Sequence, residues 1–261
     1  MAGRMRKIIS AVMAALMIMA AGGCGSSNKE IPSSADNSRY ISETKDNGNV
    51  TDGKEYDIDN GGLPYDEETV YNQLFDINNK VEIDVDISDD ELAKMQSDYN
   101  RYDNMGSKSP IYRKCDLKIS ITSDGVKNTY IIRNTGIRMK GNTSRTAFYD
   151  SNSGVYSLIH FKVDFTETFD DERYYGGDSD YDLDIDKEKQ QNRTFATLDS
   201  MEIKWNQTSD STYVREYYTC EMYRDFGILA QRTNLASINL GDVHEGIFKI
   251  YEPVDKKFIK R

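Results

Sequence analysis

The side chains able to do chemistry in this 261-residue chain are unevenly supplied: 44 aspartates and glutamates, but only two histidines, His160 and His244, and three cysteines, Cys24, Cys115 and Cys220. A zinc centre or a cysteine–histidine nucleophile would have to be built from the two histidines with Cys115 and Cys220, whose spacing matches no ligand pattern. No metal ligand and no catalytic residue is assigned from these types. The two downstream cysteines make a poor disulfide framework. Cys115 opens a strand and Cys220 lies in a helical pattern, so both read as small buried hydrophobes. The acidic side chains offer another chemistry, because Asp178, Asp180, Asp182, Asp184 and Asp186 alternate in a way that suggests calcium. Counted from Asp178, an EF-hand loop needs glycine where Leu183 stands and glutamate where Lys189 stands. The match fails, and Thr166–Thr197 reads as a solvated, self-repelling loop.

Composition limits the partners. A formal charge of −11 excludes a nucleic-acid binder that works by neutralising phosphates. The hydrophobic share of 38% predicts a modest core, helped by 18 tyrosines and 9 phenylalanines that bury area while a phenol stays wet.

The amino terminus reads as an address. Arg4, Arg6 and Lys7 precede the 14-residue apolar run Ile8–Ala21, which is shorter than the roughly 20 residues a membrane-crossing helix needs. That is a secretory signal pattern. Gly22-Gly23-Cys24-Gly25-Ser26-Ser27 resembles the lipobox of bacterial lipoproteins, although Ala21 stands where leucine is usual. The resemblance implies removal of residues 1–23, a lipidated Cys24, the membrane as partner, and a place on the outer face of the bacterial cell membrane. Each buried lipid methylene contributes about 0.8 kcal/mol to such an anchor. Residues 24–75, rich in Ser, Asn, Asp and Gly, read as a flexible tether. A folded domain is expected over 76–261.

Within it, Val81, Ile83, Val85 and Ile87 alternate with acidic residues, the period of a half-buried strand. Ser88-Asp89-Asp90-Glu91 matches a capping box opening a helix to about Tyr99. Asp116–Ile121 and Thr129–Met139, joined across Asp124-Gly125, predict a hairpin. Tyr156–Phe165 and Leu198–Trp205 are further strand candidates. Ser209–Phe226 is the clearest helix, capped by Ser209 or Asp210, striped by Val214, Tyr217, Tyr218, Met222 and Phe226, and stopped at Gly227. Leu235–Leu240 and Gly246–Tyr251 predict a last hairpin. The expected fold class is α+β, a mostly antiparallel sheet with one long helix.

Three stretches resemble the CotH family of spore-coat-type atypical protein kinases: Gly136-Ile-Arg-Met-Lys-Gly-Asn-Thr-Ser144; His160-Phe-Lys-Val-Asp-Phe165; and Tyr213-Val-Arg-Glu216, followed by Phe226-Gly-Ile228 and Gly246-Ile-Phe-Lys-Ile-Tyr-Glu-Pro-Val-Asp255. The resemblance runs from about Val81 to the end. It implies a kinase-like N-lobe and an ATP-binding role for Arg138, Lys140, Gly141, Ser144, Lys162, Glu216 and Glu252. Lys162 on a strand would be held by Glu216 on the helix, and Ile250–Val254 would be a hinge meeting adenine. Without the resemblance, Lys162 and Glu216 read as outward strand and helix residues. ATP and magnesium are implied for the complete kinase, whose metal-binding carboxylates would lie beyond Arg261. The chain is therefore expected to be incomplete and inactive alone, its protein substrate undetermined. The alternative is an extracellular binding or structural module without catalysis.

Overall fold

The structure, a computed structural model, describes residues 50–59, 66–141, 146–150, 155–205, 212–241 and 244–260. They lie in a compact unit spanning Gly48–Arg261. Cys24 and the leader fall outside the described residues.

The strands are β1 (Thr51–Asp57), β2 (Lys80–Asp86), β3 (Arg113–Ser123), β4 (Val126–Lys140), the short pair β5 (Tyr149–Asp150) and β6 (Val155–Tyr156), β7 (His160–Asp164), β8 (Ser200–Trp205), β9 (Thr233–Leu240) and β10 (His244–Tyr251). The helices are α1 (Glu67–Leu74), α2 (Asp89–Asp103), α3 (Glu172–Tyr175), α4 (Lys187–Gln191), α5 (Arg215–Asp225) and α6 (Lys256–Lys260).

The sheet closes. Strand order runs β4-β3-β2-β9-β10-β8-β7 and returns to β4, a seven-stranded barrel, with β1 added as an eighth strand. This corrects the expected α+β sheet with one long helix and the kinase-like N-lobe. Closure depends on the 15 residues of β4. Its first half pairs in parallel with β1 (Tyr56 opposite Tyr130), and its second half pairs antiparallel with β7 (Arg138 opposite Lys162). Alternation within one strand shows which face a residue uses and leaves the neighbouring strand unspecified, so closure leaves no mark on the pattern.

Most local expectations hold. Val81, Ile83 and Val85 face the core of a strand beginning at Lys80. Asp124 and Gly125 turn the β3–β4 hairpin with φ of 50° and 76°, the left-handed pair that a two-residue turn of this hand requires. Ser88 caps α2, accepting from the Glu91 N–H at 3.3 Å. Glu91 itself is drawn inward, where its carboxylate accepts from the Lys114 N–H at 3.2 Å and from the Tyr181 hydroxyl.

Three differences have physical reasons. β1 and α1 lie within the stretch read as tether. The residues of β1 are mostly exposed and it joins by backbone pairing, so no apolar alternation marked it. The acidic insert is ordered as well, with Asp171, Asp178 and Asp186 acting as helix caps and accepting from backbone N–H groups at 3.0, 3.0 and 3.1 Å. Phe169, Tyr175 and Tyr181 bury themselves in a small cluster with Ile111. The helix expected from Ser209 begins its described course at Arg215, and the Ser209 and Asp210 caps lie outside the described residues. None of its residues is buried, and α2 is the longer helix.

The core is the barrel interior: Ile83, Ile119, Ile132, Ile137, Phe161, Val163, Ile203, Ile238 and Ile250 are fully buried. Arg193 locks the closing seam, donating to the Phe165 and Arg133 carbonyls at 2.7 Å each and to Asp59 at 2.5 Å. Cys115 and Cys220 are free thiols, the first buried on β3 and the second half-buried on α5.

Candidate anion-binding face

Because Phe161, Val163, Met201, Ile203, Phe248 and Ile250 point into the barrel, their alternating neighbours point out. Register lines these neighbours up across four strands. One row is Lys140 (β4), His160 (β7), Lys204 (β8) and Lys249 (β10), since Lys140 pairs with His160, Lys204 pairs with Lys249, and the Phe161–Ile203 pair sets His160 beside Lys204. The next row is Arg138, Lys162, Glu202 and Tyr251. The third is Gly136, Asp164 and Ser200. Direct cross-strand neighbours stand about 5 Å apart at Cβ, and like charges placed so are unfavourable. On a chain of net charge −11, this face collects Arg138, Lys140, Lys162, Lys204 and Lys249 against Asp164, Glu202 and Glu216.

Two elements cover the face from its sides. On one side, Glu216 of α5 reaches Lys249 Nζ at 2.8 Å and also accepts from the Tyr251 hydroxyl. Burial works to raise the Glu216 carboxyl, but these hydrogen bonds outweigh it and hold it below the ordinary carboxylate range. Burial, then Glu216, pushes the Tyr251 phenol up. Lys204 Nζ sits 3.8 Å from the Tyr251 ring centre. On the other side, Tyr112 lies over Arg138 at 5.0 Å and over Lys162 at 5.9 Å. Gly136 permits this approach, since a Cβ there would stand 3.0 Å from that of Tyr112. Burial opposes the Lys162 ammonium, but Tyr112 and Asp164, whose Oδ2 is 3.3 Å away, raise it overall.

Among the described residues, two nitrogens are buried without a hydrogen-bond partner. Arg138 donates through Nη1 to the Ser109 carbonyl at 3.1 Å, yet its Nε has no partner. His160 Nδ1 is likewise buried and unpartnered. Burial comes first in lowering the imidazole, followed by Lys204; Lys140 and Lys249 add to this, and Glu216 opposes. The partly exposed ammonium groups of Lys140 and Lys204 beside them suit phosphate oxygens. The face suits magnesium poorly, because Asp164, Glu202 and Glu216 each already take a lysine.

Of the residues expected to bind nucleotide, Arg138, Lys140 and Lys162 share this face, and Glu216 borders it. The expected Lys162–Glu216 pair does not form: Lys162 meets Asp164, and Glu216 meets Lys249. Gly141 follows the last residue of β4 with φ of 127°, which glycine takes readily. Ser144 lies outside the described residues. Glu252 is buried below the end of β10, where its N–H donates to the Arg232 carbonyl at 3.0 Å and its carbonyl accepts from Gln231 at 2.5 Å. Both backbone groups of Glu252, one residue of the expected Ile250–Val254 hinge, are thus engaged. Glu202, Lys204, Lys249 and the placing of His160 escaped the sequence reading; alternation in Met201–Trp205 marks Glu202 and Lys204 as outward, but only register makes them a row.

Residues 137–261 match the family model described as CotH kinase protein. The matched segment starts inside β4 and contains every residue of the two charged rows. It is shorter than the expected resemblance from Val81, and it leaves β1 to β3 outside. No curated protein matches the chain.

The remaining acidic cluster is a different matter. Among the described residues, Asp90, Glu91 and Asp180 bring three carboxylates within reach of one ion. Lys94 Nζ already sits there, 2.9, 3.1 and 3.0 Å from them and 3.0 Å from Asp178. An ammonium does the work a cation would do.

Proposed function

We propose that this is a lipid-anchored CotH-like protein on the outer face of the cell membrane whose barrel binds the phosphates of a nucleotide on the outward face of β4, β7, β8 and β10. The observation that carries the reading is the alignment of Lys140, His160, Lys204 and Lys249 in one row and of Arg138 and Lys162 in the next, on an otherwise acidic chain and within the matched segment. Asp164, Glu202 and Glu216 offset only part of the charge of the five cations, and a bound anion would offset the rest. Arg138 and Lys162 would take one phosphate edge and Lys140 and Lys204 another. ATP is the nucleotide the CotH match suggests, and its magnesium would arrive with the phosphates.

The test is calorimetric titration of the full chain with ATP, with and without magnesium, against Lys204→Met and Lys162→Met. Binding to the native chain that weakens at least tenfold in both variants supports the reading. Equal affinity in all three proteins refutes it.

A second reading, an extracellular binding module, draws on the exposed Tyr218, Phe226, Ile228, Leu229, Val254 and Ile259, all more than half exposed. Such side chains favour contact with a macromolecule.

A further inference from the structure

His160 is the one titratable group on the basic row whose charge can change near neutral pH. Every element packed around it presents a charge. Lys140 comes from β4 and Lys204 from β8; Lys249 comes from β10, Glu216 from α5, and Lys162 and Asp164 from its own strand. Glu202 stands on the next row, engaged with Lys140 and with Lys204. The imidazole is half-buried, and its Nδ1 is sealed from solvent with no acceptor.

Resting on the reading of this face as a phosphate site, we infer that His160 takes up a proton from solvent when a tetrahedral dianion settles on the row, so that the face binds phosphates more tightly as the pH falls. The argument is one of local field. In the free protein burial disfavours an imidazolium first, and the ammonium groups of Lys204, Lys140 and Lys249 disfavour it further, with Glu216 opposing them. The neutral ring leaves Nδ1 either an acceptor without a donor or a donor without an acceptor. A dianion lying over Lys140 and Lys204 reverses the sign of the field at the ring. Linkage then requires that whatever strengthens the proton also strengthens the anion.

The sign for the free protein is opposite. A folded-state imidazole held below its unfolded value of 6.5 is short of a proton relative to the unfolded chain. Stability is therefore full above that value and declines as pH falls through the window beneath it. The anion converts this liability into affinity.

Sulfate is the probe, because it stays a dianion from pH 5 to 8 whereas phosphate itself titrates. Titration of the full chain at constant ionic strength should give sulfate binding several-fold tighter at pH 5.5 than at pH 8.0, approaching the roughly tenfold limit of one unit of histidine shift. Paired buffers of different ionisation enthalpy should report net proton uptake. His160→Gln should bind with the same affinity at both pH values. With two histidines in the chain, the imidazole proton signals are readily assigned, and the His160 titration should move upward with sulfate. Binding without proton uptake, an unmoved His160 titration, or a pH dependence retained in His160→Gln overturns the inference while leaving the phosphate reading intact. Absence of both sulfate and ATP binding overturns the two together.

Discussion

Helix α5 buries none of its residues, so its hold on the barrel should be unusually dependent on one side chain. Glu216 supplies it, accepting from Lys249 and Tyr251. The informative perturbation is Lys249→Met. Lys249 is 5% exposed, and methionine keeps most of its length. Glu216, 51% exposed at its side chain, can turn to water once the ammonium is gone. A charge-assisted hydrogen bond contributes about 1.5–3 kcal/mol when well buried, whereas exposed pairs contribute about 0–1 kcal/mol. With one partner half in water, about 1 kcal/mol is the reasonable loss. That corresponds to roughly fivefold faster opening of α5. Amide hydrogen exchange followed by mass spectrometry resolves such a change in peptides covering Val214–Phe226. Barrel peptides from β3 and β9 should exchange as before. Glu216→Ala should be worse, since it withdraws the carboxylate from a nearly buried ammonium. Unchanged exchange in α5, or equal acceleration across the barrel, would refute the view that this ion pair is the clasp.

Other expectations are more direct. Arg113 Nε donates to Asp98 at 2.8 Å in a setting where both side chains are about one-tenth exposed, and its Nη1 meets the Tyr181 hydroxyl at 3.2 Å. Arg113→Met should cost about 3–5 kcal/mol by stranding Asp98, lowering the urea midpoint by about 1–2 M, and Asp98→Asn in the same chain should restore part of it. An unchanged midpoint would show the pair to be dispensable. For the leader, metabolic labelling with a fatty acid should mark the native protein and not Cys24→Ser; equal labelling of both would remove the lipid anchor from the proposal.

What could be read without a fold was whatever depends on neighbours along the chain. Alternation in Val81–Ile87 predicted an outward and an inward face, Asp124-Gly125 predicted its turn, Ser88 its cap, and the segments around Arg138, Lys162 and Glu216 their CotH likeness. Amphipathic spacing failed where it was trusted most, in the helix containing Tyr217, Tyr218, Met222 and Phe226. Large aromatic side chains satisfied the period there, but the helix touches the barrel along an edge carrying Glu216. Acidity misled in the insert as well, because Asp171, Asp178 and Asp186 spend their charge on backbone N–H groups while the tyrosines bury.

The chain's order of residues determined by itself that His160, Lys204 and Lys249 would each sit outward on a strand, with Lys140 one residue past the end of another, since a pleat alternates every residue. Only the tertiary structure decided that they stand in one row, with Glu216 clasping Lys249 and no contact with Lys162. Strand neighbours are chosen by hydrogen bonds between segments far apart in sequence, and closing β4 onto β7 set the register that brought those four side chains together.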